Sequence, residues 1–202
     1  MRCGAPRLRT GRTVDATCPE CSTWPAVLGR ARSACILHEP ADRIVYQIKY
    51  NGWKALADPM AERMAAALSI DGTGEQARIV VPVPTTSARL RTRGYNQAEL
   101  IAAALARVTG KTMVGALQRE GSTISQTGLQ PASRSANVAG AFFVPRGTAD
   151  AIHGARVLLV DDVLTTGATA VECAHALEAA GAADITVVTF ARALDARRLL
   201  GT

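Results

Sequence analysis

Two adjacent carboxylates and a group of threonines stand close together in the segment LLVDDVLTTGAT, which covers residues 158–169. The carboxylates of Asp161 and Asp162 can accept hydrogen bonds from a diol or hold a hydrated Mg²⁺. The turn after them offers consecutive backbone N–H groups and three hydroxyls from Thr165, Thr166, Gly167, Ala168 and Thr169. A phosphate fits such a turn when a helix begins there, because the helix dipole favours an anion at that end. Phosphate beside diol describes a ribose 5-phosphate.

The elements on either side of this turn predict an α/β fold. ARVLLVDD (155–162) predicts a central strand, ATAVECAHALEAAG (168–181) predicts a helix ended by Gly181, and DITVVTFARA (184–193) predicts another strand. A strand, helix and strand of these lengths imply a right-handed parallel crossover. We therefore expect a three-layer open parallel sheet, with the ligand beyond the carboxyl ends of its strands.

Further elements surround this unit. RIVVPVP (78–84) predicts a buried strand that delivers a loop, and NQAELIAAALARVTG (96–110) predicts a helix capped by Asn96, with Gly110 just past its end. A short helix is expected from Asp42, and a second one after Gly52. Both should pack over the main domain.

The loop after the 78–84 strand carries polar and basic groups beside the expected site. Guanidinium groups bind pyrophosphate bidentately, which makes this segment a candidate pyrophosphate loop. Its candidate residues are Val83, Pro84, Thr85, Thr86, Ser87 and Arg89. For Arg89 and Arg91, a solvated turn is an equally good explanation.

Cysteine spacing marks a candidate metal site near the N-terminus. Cys18 and Cys21 form a Cys-x-x-Cys pair whose thiolates can share one tetrahedral zinc, and Cys3 lies fifteen positions before Cys18. One ligand is missing: a second pair ending at Cys3 would begin ahead of Met1, so either the chain starts late or the site has decayed. Cys35 or His38 could substitute, although neither has the spacing. We expect a cysteine-knuckle appendage over residues 1–38 and a main domain over 39–202.

The net charge and the hydropathy of the chain limit the partners and the cellular location that we expect. The net charge of +6 permits contact with nucleic acid or phosphorylated small molecules, but a solvated basic surface explains it too. No apolar stretch approaches the roughly 20 residues of a membrane span, and the Arg-rich start lacks the apolar region of a signal peptide. These features favour a soluble cytoplasmic protein that does not enter a membrane.

Residues 157–169, VLLVDDVLTTGAT, resemble the motif with which type I phosphoribosyltransferases bind 5-phosphoribosyl 1-pyrophosphate (PRPP). The resemblance implies that Asp161 and Asp162 bind the ribose hydroxyls and act in catalysis, with Mg²⁺ accompanying PRPP. It also implies that residues 165–169 bind the 5-phosphate.

A second resemblance narrows the family. VPVPTTSARLRTRGYNQAELIA (81–102), IKYNGWKALA (48–57) and SQTGLQPASRSANVAGAF (125–142) resemble the ComF family of competence-associated, amidophosphoribosyltransferase-like proteins. Members also carry the N-terminal cysteine knuckle, from which this chain departs by one cysteine. The resemblance implies that the 120–140 loop, with Gln126 and Arg134, is a flexible flap over PRPP.

Three functions stay open. The first is transfer of a phosphoribosyl group to an acceptor that the sequence does not identify. The second is a PRPP-sensing or adaptor protein in DNA uptake or replication restart, with single-stranded DNA or a helicase as partner. The third is a zinc-dependent interaction module on an inactive fold. Lys49 and Tyr50 either face an acceptor pocket or form an amphipathic helix surface.

Overall fold

A five-stranded parallel sheet forms the centre of the protein in a computed structural model, which describes residues 2–6, 18, 21–70, 72–119 and 140–194. Its strands are β1 (Leu28–Ile36), β2 (Ile79–Pro82), β3 (Thr112–Met113), β6 (Arg156–Leu164) and β7 (Asp184–Arg192). The order across the sheet is β1-β7-β6-β2-β3, and every neighbouring pair is parallel. Two short strands, β4 (Gln118–Arg119) and β5 (Phe142–Phe143), pair antiparallel outside this sheet.

Helices cover both faces of the sheet. They are α1 (Ala41–Tyr50), α2 (Ala57–Ser69), α3 (Ser87–Arg93), α4 (Gln97–Thr109), α5 (Arg146–Ile152) and α6 (Ala168–Ala179), and a short 3₁₀ turn, Lys54–Leu56, precedes α2. Leu158 and Val160 of β6 pack in a cluster with α1, α2 and α4, whereas Val157 and Leu159 pack in a second cluster with α6. This alternation follows from the two-residue period of a strand. The predicted three-layer parallel α/β fold is confirmed.

Local signals placed several elements correctly. The side-chain oxygen of Asn96 accepts a hydrogen bond from the Ala98 amide at 3.1 Å, and Gly110 ends α4 with φ of 65°. Pro59 lies in the first turn of α2, where its missing N–H has no helical partner to lose. Among the described residues, no helix has the length and apolarity needed to cross a bilayer.

Several elements were not predicted, and the longest of them are the strand β1 and the helices α3 and α5. β1 pairs with β7 from Leu28 to Ile36, although it lies in the segment assigned to the appendage, so the proposed boundary at residue 38 separates an edge strand from α1. Of its nine residues only Leu28 and Ala31 are buried, which leaves no alternating pattern to read. The loop expected after Pro84 contains α3, which buries no residue and is bounded by the Thr86 cap and by Gly94 at φ of 76°.

Candidate functional site

The acidic pair lies on β6, near the carboxyl end of the central strand. β6 continues to Leu164, so both carboxylates stand within the last residues of the strand rather than beyond it. The backbone amide of Asp162 donates a hydrogen bond to Oδ1 of Asp161 at 2.8 Å. Both side chains line one cleft of about 320 Å³ at this edge of the sheet.

The electrostatics of the pair differ between its two members. Asp162 is buried, and its Oδ2 lies 2.7 Å from Nζ of Lys49, which belongs to the last turn of α1. This contact is an ion pair without a well-directed hydrogen bond, because Oδ2 accepts none from the described residues. Burial, and then the charge of Asp162, raise the pKa of Asp161 well above its usual value, which the Lys49 ammonium partly counteracts.

The turn that begins α6 depends on Gly167. Its φ of 84° is left-handed, and a Cβ at this position would lie 3.1 Å from Cζ2 of Trp24. As the N-cap residue, glycine has no side chain to bond the first amides of α6. Thr166 Oγ1 accepts weakly from the Ala168 amide at 3.4 Å, and Thr165 and Thr169 line the cleft. The turn therefore brings Thr165 and Thr169 to the cleft beside the N-terminus of α6.

The opposite wall is the loop between β2 and α3. Of the predicted loop residues, Val83, Pro84, Thr85 and Arg89 line the cleft. The structure does not place Thr86 and Ser87 in that lining. Thr86 instead caps α3, with its hydroxyl accepting from the Arg89 amide at 3.2 Å.

Other lining residues were not singled out by the sequence. Arg119 of β4 lines the cleft, and its guanidinium lies 5.1 Å from the centroid of the Phe142 ring. Burial, and then the charge of Arg89, lower the pKa of Arg119. β4 has only two residues, too few to show a pattern. Gln126 and Arg134, the predicted flap residues, lie outside the described residues.

The N-terminal cysteines come together as their spacing predicts. The sulfur atoms of Cys3, Cys18 and Cys21 all lie within 4.8 Å of one another, and those of Cys3 and Cys18 are 3.5 Å apart. Burial, and then hydrogen bonds from the other two thiols, raise the pKa of Cys21 to about 11. Cys35 and His38 are not part of the cluster. Three thiols at this spacing fit three of the four positions around zinc.

Comparison with known proteins now defines the family. The family model of the phosphoribosyl transferase domain matches residues 52–199, which include the acidic pair, the turn before α6 and the β2–α3 loop. The chain belongs to this phosphoribosyltransferase family. The matched range contains β2, β3, β6 and β7 of the parallel sheet, with the acidic pair on β6.

Curated relatives of this phosphoribosyltransferase-family chain place it more closely. It is 28% identical over 197 residues to DNA utilization protein YhgH of Salmonella typhimurium, covering 96% of this chain and 83% of that protein. The YhgH protein of Salmonella typhi is 30% identical over 182 residues, covering 88% and 78%. Competence protein F of Haemophilus influenzae is 36% identical over 115 residues, covering 56% and 50%. The resemblance to ComF proteins is confirmed.

Proposed function

We propose that the cleft binds PRPP together with Mg²⁺. The observation that carries the proposal is that one cleft is lined both by the carboxylates of Asp161 and Asp162 and by Thr165 and Thr169 of the turn at the N-terminus of α6. The first suits a ribose hydroxyl or a hydrated cation, and the second suits a phosphate. The membership of the phosphoribosyltransferase family supports the same assignment.

The 5-phosphate would bind the turn formed by residues 165–169. Gly167 is the N-cap of α6 and has a left-handed conformation. The turn therefore ends at the N-terminus of this helix, where the helix dipole favours an anion. Thr165 and Thr169 line the cleft and can add hydroxyl donors. Trp24 packs against this glycine, so the shape of the turn is supported from behind.

The ribose hydroxyls and Mg²⁺ would meet Asp161 and Asp162. Repulsion between the two carboxylates is one cause of the raised pKa of Asp161, and hydroxyl donors or a cation relieve such repulsion. Mg²⁺ would supply charge neutralisation on the departing pyrophosphate. The two carboxylates fit this cation because oxygen ligands are the ones it prefers.

Basic residues on the opposite wall would bind the pyrophosphate. Arg89, Arg93 and Arg119 line the cleft with Lys49, opposite the two carboxylates in sign. In a transfer reaction the C1–O bond to pyrophosphate breaks as a nucleophile bonds to C1. The carboxylates hold the ribose, and the arginines stabilise the leaving charge.

Calorimetric titration of PRPP with Mg²⁺ tests the proposal. We expect micromolar binding, about 8 kcal/mol, to wild type and its loss in the double variant Asp161→Asn/Asp162→Asn. The matched control is Asp58→Asn/Asp150→Asn, which removes the same charge from two exposed positions outside the cleft. Equal binding by all three proteins would refute the assignment. Pyrophosphate release in the presence of candidate acceptors would then distinguish transfer from binding alone.

The names of the relatives support a second candidate function. Two relatives are called DNA utilization protein and Competence protein F, which supports a role in the use of DNA. The second candidate is therefore a PRPP-sensing or adaptor protein in DNA uptake or replication restart, with single-stranded DNA or a helicase as partner. Salt-sensitive binding of single-stranded DNA, with PRPP binding but no turnover, would favour this function over transfer. Turnover with an acceptor, and no DNA binding, would reject it.

We also propose zinc for the cysteine cluster of the N-terminal segment, residues 1–38. Cys3, Cys18 and Cys21 would be its ligands, and the described residues supply no fourth. Thiolates bind the metal, so uptake by a thiol with a pKa of about 11 must release a proton. Metal analysis of the purified protein should show zinc, and its absence after loading would reject the site.

A further inference from the structure

A second cleft, of about 500 Å³, opens between α1 and α3 beside the first. We call it the α1–α3 cleft. The residues that matter in its lining are Lys49, Tyr50, Arg89, Thr92, Arg93 and Tyr95. Four of them, Lys49, Tyr50, Arg89 and Arg93, also line the first cleft. The two clefts are therefore adjacent, and these four side chains stand between them.

The charged side chains that line the α1–α3 cleft are all basic: Lys49, Arg89 and Arg93. The Lys49 ammonium is shared with Asp162, which belongs to the first cleft only. Arg93 uses Nη1 to donate to Oε1 of Gln97 at 3.0 Å, and a guanidinium has further donors. Three cations without a lining carboxylate favour an anionic ligand.

The exposed ring of Tyr50 lines the α1–α3 cleft, and two further exposed rings lie close to Tyr50 in the chain. Tyr50 is 61% exposed, with the Arg93 guanidinium 4.9 Å from its ring centroid. Tyr46, one turn earlier on α1, lies 4.9 Å from Tyr50, ring centroid to centroid. Trp53, three residues after Tyr50, is 58% exposed. Large exposed rings beside arginines are the surface on which nucleic-acid bases stack.

Internal bonds hold the α1–α3 cleft in shape without a ligand. The buried Tyr95 donates its hydroxyl to the Ile48 carbonyl at 2.5 Å, which ties the last turn of α1 to the segment between α3 and α4. The Lys54 ammonium lies 4.8 Å from the centroid of the Tyr95 ring. The walls of the cleft are therefore ordered before a ligand binds, which lowers the entropy cost of binding.

We propose that the α1–α3 cleft binds a nucleotide unit, an aromatic base joined to a phosphate. The base stacks on Tyr50 and Arg93, and the phosphate meets the basic side chains. The unit has two sources, a free nucleotide or a single strand of nucleic acid. The site shares Lys49, Arg89 and Arg93 with the proposed pyrophosphate site, and binding of the nucleotide unit does not require PRPP in the first cleft.

The test is titration with two probes that carry no 5′-phosphate, thymidine 3′-monophosphate and a short oligothymidylate with a 5′-hydroxyl. The variant is Thr92→Glu, which places a negative charge in the α1–α3 cleft; the Thr92 hydroxyl only bonds the Ala88 carbonyl within α3. The matched control is Leu90→Glu, on the same helix, 46% exposed and lining neither cleft. We expect Thr92→Glu to weaken binding about tenfold and Leu90→Glu to change it less than about twofold.

A second matched pair guards against a folding defect in the first. Arg89→Gln should weaken probe binding several-fold, whereas Arg91→Gln, which removes the same charge from an exposed position outside both clefts, should not. Much tighter, salt-dependent binding of the oligothymidylate would identify a single strand as the source. Similar affinity for both probes would identify the free nucleotide.

Three results would overturn the site. The first is no binding of either probe at millimolar concentration, and the second is equal weakening of binding by Thr92→Glu and Leu90→Glu. The third is loss of probe binding in Asp161→Asn/Asp162→Asn while Thr92→Glu binds the probes as tightly as wild type. The last would place the nucleotide in the first cleft. PRPP titration separates this inference from the proposed function. Failure of wild type to bind PRPP would reject that function and leave probe binding in the α1–α3 cleft as a separate result.

Discussion

Replacing Lys49 by methionine probes the ion pair that joins α1 to the acidic pair of β6. The Lys49 side chain is 22% exposed and that of Asp162 only 4%, with Nζ and Oδ2 2.7 Å apart. At an effective dielectric constant of about 20, Coulomb attraction at this distance is about 6 kcal/mol. Desolvation of two buried charges offsets much of that, so the net contribution of the intact pair is small.

Removing only the lysine is different, because it leaves a buried carboxylate without a cation. Such a group can escape by taking up a proton, which costs an ordinary aspartic acid about 4 kcal/mol at pH 7. That figure is an upper limit. We therefore expect Lys49→Met to lower the free energy of unfolding by about 3 kcal/mol at pH 7.

Urea unfolding at pH 7 and near pH 4 measures the effect. The double variant Lys49→Met/Asp162→Asn should recover most of the loss, because no unpaired charge is buried. The deficit of the single variant should shrink on acidification, because a carboxyl protonated in the folded state gives stability that is lost as pH rises. The matched control is Lys54→Met, which removes an exposed ammonium that contacts only the Tyr95 ring among the described groups and should lose about 1 kcal/mol or less.

Two results would refute this reasoning. A loss below about 1 kcal/mol in Lys49→Met would show that water replaces the lysine and that the carboxylate is not desolvated. A double variant as unstable as the single one would show that α1 needs Lys49 for packing alone.

Further changes test the site and the cysteine cluster. Because burial and Asp162 raise the pKa of Asp161, folded-state stability should fall as pH rises from about 4 toward that raised pKa, and Asp161→Asn should abolish this decline in urea unfolding. Gly167→Ala should lower the free energy of unfolding by about 1 to 2 kcal/mol because alanine disfavours the left-handed φ. The contact of the new Cβ with Trp24 at 3.1 Å should lower it further. Gly94→Ala, with φ of 76° and open space around it, should show the strain alone in the same assay. Cys21→Ser should remove zinc found by metal analysis; undiminished zinc would reject the cluster as its ligand set.

The sequence alone predicts well the features that are formed by residues close together in the chain. The turn at residues 165–169 is one local structure, and its threonines and glycine suggest the same chemistry before and after folding. The strands β2, β6 and β7 are apolar runs bounded by turn residues, and α4 has a cap at each end. These signals were enough for the parallel fold and for the acidic end of the candidate site.

Elements that need a partner were missed. β1 is a strand because β7 offers it a parallel edge from Ile185 to Arg192, and its own sequence shows no alternation. α3 has no buried residues, so its sequence lacks the apolar periodicity that predicts a helix. Arg119 joins the cleft through a strand of two residues.

The sequence by itself determined the layered fold and the order of the acidic pair and its turn along one strand and helix, because both depend on neighbours along the chain. Only the tertiary structure decided what faces that turn. Lys49 is 113 residues from Asp162 in the chain, and the periodicity of α1 could not show whether Lys49 faces a pocket or lies on an amphipathic helix surface. The tertiary structure brings the last turn of α1 to Asp162 of β6, where Lys49 forms its ion pair, and leaves the α1–α3 cleft between α1 and α3.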